Sequence, residues 1–217
     1  MRSYDYSLEQ ISNIYMNAKF YVIDHGFVDE IDWQEEIEFG HVDETWFLKE
    51  IAWVILCSGM KEAVIKNKFR YISKAFYDWT SSERIIINKD KCYYNSLSHF
   101  NNKLKISAII SIAEYLYHYG FETVKNSIRR EGIDYLTTFP FIGPTTSYHL
   151  AKNLGLEVAK PDRHLKRIAD KFGYEEVNTL CSDISKVTGE KISVVDLVLW
   201  RFATLNNHYL DSLEALI

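Results

Sequence analysis

The stretch TTFPFIGPTTSYHLAKNLGLEVAKPDRHLKRIADKFG, residues 137–173, holds all three prolines of a 217-residue chain, at positions 140, 144 and 161. Proline fixes φ and has no backbone donor, so each one interrupts regular structure. The interruptions flank one short helical segment. Before it, VKNSIRREGIDYL (124–136) completes a helix. A tight turn then follows in which Gly143 can take a positive φ, and Pro144 suits the first position of the new helix. Thr145, Thr146 and Ser147 open that helix and Gly155 closes it. Two readings fit the corner: a plain connection between helices, or a helix N-terminus whose outward N–H groups hold a phosphate. The second interruption, Pro161-Asp162, forces the preceding residue to be extended. Asp162 then stands at the N-cap of a helix carrying Arg163, Lys166, Arg167 and Lys171. Capping alone explains an aspartate there; a carboxylate with a chemical role is the alternative.

Outside this window helical periodicity dominates. Ser7-Leu8-Glu9-Gln10 has the form of a capping box, with Ile11, Ile14, Tyr15 and Ala18 on one face behind it. The sets Phe47, Ile51, Val54, Ile55 and Ile65, Phe69, Ile72, Phe76 repeat the pattern. So do Ile106, Ile109, Ile110 and Ala113, in a helix that Gly120 ends. Leu165, Ile168, Ala169 and Phe172 line the helix after Asp162, up to Gly173, and Val177, Leu180, Ile184 and Val187 line another. VVDLVLWRFA (194–203) is apolar nearly all round, which predicts a buried final helix. Only RIIIN (84–88) hints at a strand. The chain therefore reads as all-α, with roughly nine or ten helices, no internal repeat and no linker.

Hydrophobic residues make up 47% and aromatics 15%, enough for a substantial core. The N-terminus MRSYDYSLEQ is polar, and no apolar run reaches the length of a membrane span. Cys57, Cys92 and Cys181 are odd in number and widely spaced, which suggests neither a zinc site nor a disulfide framework. These features lead us to expect a cytoplasmic, nucleoid-associated monomer with no membrane partner. Net charge is −5, but nine of the 30 acidic residues fall between Asp24 and Glu44, a stretch with no Lys or Arg that reads as solvated surface or loop. The remaining 21 acids face 25 basic residues, so the rest of the chain can present a basic face to phosphates.

Phe139-Pro140-Phe141-Ile142-Gly143-Pro144-Thr145-Thr146-Ser147, followed by Pro161-Asp162-Arg163-His164-Leu165-Lys166-Arg167, resembles the helix–hairpin–helix DNA glycosylases. Their hairpin reads L-P-G-[IV]-G, with x-K-T-A following in lyase-competent members, and their aspartate motif reads V-D-x-H-[VL]-x-R. The likeness spans about residues 100–173. It implies a single all-α domain over 1–217 with two helical lobes flanking a cleft. One lobe would cover about 45–135, the hairpin and catalytic loop 137–173, and the N- and C-terminal helices would form the second lobe. The family's partner is double-stranded DNA containing a modified base, and no cofactor is required beyond K+ or Na+ at the hairpin.

Carried onto this sequence, the resemblance makes Asp162 the catalytic carboxylate, stabilising an oxocarbenium-like sugar and orienting water. The amides of Gly143, Thr145 and Thr146 would hold a phosphate, with Ser147, Lys160, Arg163 and Arg167 as further DNA contacts. The carbonyls of Thr137, Phe139 and Ile142 would hold the monovalent cation. His164 and Arg167 read as structural or phosphate-facing rather than chemical. Three departures stand out. Thr145 occupies the position of the Schiff-base lysine, and a hydroxyl cannot form that imine, so a monofunctional, water-using enzyme is expected. Phe141 replaces the first hairpin glycine. No four-cysteine cluster for an iron–sulfur centre is present.

WFLKEIAWVILCSGM (46–60) offers a wall for an extruded base through Trp53, Cys57 and Met60; core packing is the plainer reading of those three. FIGPTTSYHL and CSGM are also similar to the 3-methyladenine glycosylases of the first bacterial type, whose hairpin reads F-V-G-x-T and whose pocket helix ends A-G-L-S-W. Their zinc-binding Cys/His set is not recognisable in this chain. The echo favours an alkylated purine as substrate. The alternatives are a glycosylase for another modified base, including a phage-made one, and a non-catalytic helix–hairpin–helix DNA-binding protein.

Overall fold

The computed structural model describes residues 6–215, so the first five residues of the polar N-terminal stretch lie outside it. Every regular element among the described residues is helical. The chain forms two compact units, one of residues 1–38 with 155–217, the other of residues 39–154.

The first unit opens with α1 (Leu8–Asp24) and α2 (Val28–Glu36). Ser7 caps α1 through the predicted box: its Oγ accepts the Gln10 amide and Gln10 Oε1 accepts the Ser7 amide. The chain returns to this unit after Gly155 with α11 (Arg163–Lys171), α12 (Val177–Thr188), α13 (Ile192–Leu205) and α14 (Tyr209–Glu214). Its core joins Ile11, Ile14 and Tyr15 of α1 to Leu165 and Ile168 of α11, Leu180 and Ile184 of α12, and Val194, Val198 and Phe202 of α13. The helix VVDLVLWRFA is buried as expected but is not the last, because α14 follows and buries Leu213. Val187 is a second correction: it is exposed, three residues past Ile184, where the buried face ends.

The acidic stretch is a helix rather than a loop over most of its length. Ile31 and Gln34 turn inward and the carboxylates point outward. Arg201 of α13 holds Glu30 by a forked pair, with Nε at 3.0 Å and Nη2 at 2.8 Å, while its guanidinium lies over the Phe27 and Trp200 rings. Tyr15 donates its hydroxyl to Glu190, and Lys19 pairs with the same carboxylate at 2.5 Å. Burial, reinforced by that carboxylate, drives the Tyr15 pKa up.

The second unit contains α3 (Glu44–Cys57), α4 (Glu62–Ala75), α5 (Ser82–Ile87), α6 (Lys89–His99), α7 (Lys103–Tyr119), α8 (Phe121–Glu131), α9 (Ile133–Leu136) and α10 (Pro144–Asn153). The residues RIIIN belong to α5, not to a strand. Ser81 caps that helix by accepting the Arg84 amide, and of the isoleucines Ile85 is buried while Ile87 is exposed. A run of β-branched residues does not make a strand where a cap starts a helix and one buried residue anchors it. The stretch 124–136 likewise breaks at Gly132, whose φ of 59° ends α8 and starts α9. Breaks of this kind raise the helix total above the number periodicity predicts.

At α3 the second unit is tied together by polar contacts. Its C-terminal carbonyls, which no helical amide can reach, are held by the buried Lys105, whose Nζ donates to Leu56 O at 2.8 Å and Ser58 O at 2.5 Å. Lys125 caps the Gly40 and Val42 carbonyls in the same way, at 2.8 and 2.6 Å. On α3 itself, buried Glu50 accepts the Asn153 side-chain amide at 2.9 Å, and the Asn153 carbonyl accepts the Trp46 indole at 3.1 Å. These bonds fix the end of α10 against α3. Burial raises the Glu50 pKa above its ordinary value, with the Asn153 bond opposing.

Two outcomes follow. Lys105→Met orphans two carbonyls at the end of α3 and should destabilise the fold by about 1–3 kcal/mol in denaturant unfolding. Glu50 holds its proton more tightly folded than unfolded, so its protonated state stabilises fully below the ordinary pKa of 4.5 and less as pH rises through the folded value. Glu50→Gln keeps an acceptor for Asn153, so Tm should rise at neutral pH and the gain should close below about pH 4.

Candidate nucleic-acid and catalytic site

The hairpin lies in the second unit and is built from one turn. The Ile142 amide donates to Phe139 O at 3.1 Å, Pro140 takes the second position, and Phe141 takes the third with φ 65°. That is the pattern of a type II turn, whose third position favours glycine. Gly143 was the residue expected to take a positive φ; instead it is extended at −90° and Phe141 carries the left-handed conformation. A bulky residue held there costs on the order of 1–3 kcal/mol. Phe139 and Ile142 turn inward, and the Phe139 ring sets its edge or face against Phe47, Tyr115 and Tyr135. Phe141 remains exposed.

Helix α10 starts at Pro144 as predicted. The Gly143 amide is already taken, donating to Thr146 Oγ1 at 2.7 Å, so in this conformation it does not reach out to a phosphate. The Ser147 amide bonds Gly143 O at 2.9 Å, and the fully buried Ser147 hydroxyl donates to Pro144 O, which removes Ser147 from the expected contacts. At the second and third positions of the helix, the amides of Thr145 and Thr146 have no intrahelical acceptor. Thr145 is exposed and Thr146 half-buried. Of the expected contacts, the Thr145 and Thr146 amides and the Thr145 hydroxyl are left, since Thr146 Oγ1 is engaged by Gly143.

Asp162 lies in the first unit. Its Oδ1 accepts both the His164 amide at 2.9 Å and the Leu165 amide at 3.0 Å, so one oxygen caps α11. Among the described residues no hydrogen bond engages Oδ2, and the residue is only half-buried. Capping and chemistry are therefore divided between the two oxygens. The approach to Asp162 is tied down one amide at a time. Ala159 N–H donates to Asn178 Oδ1 at 3.1 Å, Lys160 N–H to Asp196 Oδ1 at 2.5 Å, and Asp162 N–H to Lys160 O at 2.8 Å. Pro161 has no amide to place.

Asp196 was missed in the sequence, although the signal was present: an aspartate inside an otherwise apolar helix must find a donor. It is 1% exposed in α13 and takes one from the loop that carries Asp162. Arg163 and Arg167 are exposed on α11, and Lys160 is half-buried. The Arg163 Nε donates to His164 Nε2 at 3.3 Å, and the His164 ring meets Tyr209 edge-on, which gives His164 a structural place.

Trp53, Cys57 and Met60 belong to the second unit, and they are not plain core. Trp53 and Cys57 are half-buried and Met60 is exposed past the end of α3. The Trp53 ring packs edge-on against Phe69, which in turn stacks on buried Trp79. Burial, with the Glu62 and Glu50 carboxylates adding to it, pushes the Cys57 thiol up to about 12, so the thiol is uncharged at neutral pH. Glu50 falls on the same face, three residues before Trp53 and seven before Cys57. Among the described residues no group of three or more His, Cys, Asp or Glu side chains could hold a metal ion, and no helix is long and apolar enough to cross a membrane.

No family model and no curated protein matches the sequence. A solved structure does match the fold: the Methanocaldococcus jannaschii 8-oxoguanine glycosylase/lyase, in complex with 15mer DNA containing 8-oxoguanine. The similarity extends over 88% of this chain and 97% of that one, with a TM-score of 0.55 and 18% sequence identity. The chain thus has the all-helical fold of a helix–hairpin–helix DNA glycosylase.

Proposed function

We propose that this protein is a DNA glycosylase that hydrolyses the N-glycosidic bond of a modified base in duplex DNA and has no lyase activity. The observation that carries the reading is Asp162, a carboxylate fixed by one oxygen at the head of α11 and open at the other. As the base departs, the sugar gains positive charge. A fixed carboxylate stabilises that charge and orients the attacking water. The ties to Asn178 and Asp196 reduce the reorganisation the reaction requires. Thr145 and Thr146 would bind a backbone phosphate, and Arg163, Arg167 and Lys160 would add charge to the DNA contact.

Two observations support hydrolysis over lyase chemistry. Thr145 has no amine, and Lys105 is buried with its ammonium bound to two carbonyls, so it is not placed to attack a sugar. The solved neighbour carries the name glycosylase/lyase, so lyase activity is where this chain would depart from it. The uncharged, aromatic face of α3 at Trp53 and Cys57 suits an alkylated purine, whose own positive charge already weakens its glycosidic bond. The carbonyls of Thr137, Phe139 and Ile142 are oxygen donors of the kind a hard cation takes. Thr137 ends α9, where carbonyls lack helical donors, and Phe139 O retains a second lone pair beside its bond to Ile142. A bound K+ or Na+ would supply positive charge to the phosphate held there.

The test is base release from duplexes carrying methylated, deaminated, oxidised or hypermodified bases, scored as strand breaks before and after alkali. The expected result is breaks only after alkali, greatest for an alkylated purine, and no covalent complex on borohydride treatment. Asn caps helices as well as Asp does, so Asp162→Asn should fold normally yet lose release by about 10²-fold or more. A mutant as active as the wild type would reduce Asp162 to a cap. Absence of release from every duplex, with salt-dependent binding intact, would favour a non-catalytic DNA-binding protein.

A further inference from the structure

Between Ala63 and Tyr77 the chain carries four cations and no acid, in a protein whose net charge is −5. Three of them, Lys66, Arg70 and Lys74, recur at every fourth residue of α4 and are all exposed. They form one row turned away from the buried Ile65 and Ile72, with steps of about 6 Å along the helix axis. Like charges at that spacing weaken a helix, and among the described residues no carboxylate pairs with any of the three. Two rings hold cations in place beside the row. The Arg70 guanidinium lies 4.6 Å over the Tyr71 ring, its Nη2 donates to the Tyr71 hydroxyl at 2.8 Å, and Tyr71 stacks on His99 of α6. Past the end of α4, Arg84 at 4.6 Å and Lys91 at 5.8 Å lie over the Tyr77 ring. Among the described residues neither meets a carboxylate. Tyr77, Asp78 and Trp79 are consecutive left-handed residues, with φ of 55°, 52° and 63° and no glycine among them. Such a turn persists only where packing holds it, and buried Trp79 does so by stacking on Phe76 and donating to Ser73 Oγ at 2.9 Å. Helix α4 packs on α3 and α6, whereas α10 of the hairpin packs on α3 and α9, so this face is separate from the hairpin.

We propose that this α4 face, extended by Arg84 and Lys91, is a second contact for the phosphate backbone of duplex DNA, so that the protein holds two duplex segments at once. This rests on the DNA reading above and adds a surface that the hairpin does not include. A cation with no carboxylate beside it keeps its donors for an outside anion. An arginine laid flat on a ring has already lost much of its freedom before that anion arrives. A row of fixed charges on a rigid helix suits a stiff, regularly charged polymer. An acidic peptide offers the same sign of charge without the regular spacing.

The experiment captures the protein on an immobilised duplex carrying a tetrahydrofuran abasic analogue, then adds a second, unmodified fluorescent duplex. Wild type is compared with the triple variant Lys66→Gln/Arg70→Gln/Lys74→Gln and with Lys66→Arg/Arg70→Lys/Lys74→Arg, which keeps the charge. Tm is measured for each, and all three replacement types are good helix formers. The expected result is that wild type recruits the second duplex and releases it as salt rises. The Gln triple should be captured as before, with Tm unchanged, yet recruit the second duplex about tenfold less. The charge-keeping triple should recruit it as wild type does. Equal recruitment by the Gln triple, or none by captured wild type, would overturn the second contact and leave the DNA reading standing. A marked fall in Tm for the Gln triple would make the row a structural element and overturn it as well. Displacement by polyglutamate as effective as by unlabelled duplex would turn the face over to an acidic protein partner. Failure of wild type to bind the immobilised duplex would overturn the DNA reading, and this face with it.

Discussion

Each helix end leaves backbone groups that no other part of the helix can satisfy, and a protein built from many short helices has many such ends. Most of this structure is organised around closing them. Ser7, Asp43, Ser81, Asn102 and Asp162 accept amides at helix starts. Lys105 and Lys125 reach buried carbonyls with their ammonium groups. A buried lysine is expensive unless it meets acceptors, and here the acceptors are carbonyls that would otherwise be unpaired. Each side of the pair removes the other's cost.

In each unit the candidate residues stand where this closure is incomplete. At α10 the Thr146 side chain satisfies the Gly143 amide, while the next two amides have no intrahelical acceptor. At α11 a single oxygen of Asp162 meets two amides and the other stays open. One end leaves donors and the other leaves an acceptor. The same constraint that fixes the fold thus sets the chemistry each end can support. The approach to Asp162 follows the same logic, since the amides of Ala159 and Lys160 are met by Asn178 and Asp196 rather than by water.

Much of this was legible in residue order. The capping box at Ser7, proline at the head of α10, Asp162 at the head of α11 and the glycine stops at Gly120 and Gly173 are local signals, each acting over a few residues. Where such signals were weak, the sequence misled. Ile85 to Ile87 looked like a strand because β-branched residues favour one, yet a cap at Ser81 and one buried isoleucine made a helix. Ser147 looked like a third hydroxyl of an exposed helix start, yet it is fully buried. The left-handed residue of the hairpin was expected at Gly143, because glycine has the freedom, but the turn places it at Phe141.

By itself, then, the sequence determined the all-helical class, the hairpin, the capping role of Asp162 and the likeness to a glycosylase fold, because periodicity, proline and caps act through neighbours in the chain. Tertiary structure alone decided which groups remain unpaired. That Asp196 of α13 holds the Lys160 amide and that Glu50 is buried against Asn153 both depend on what packing brings within hydrogen-bond reach. Those contacts join residues as far apart as Glu50 and Asn153, and no local pattern encodes a distance of that kind.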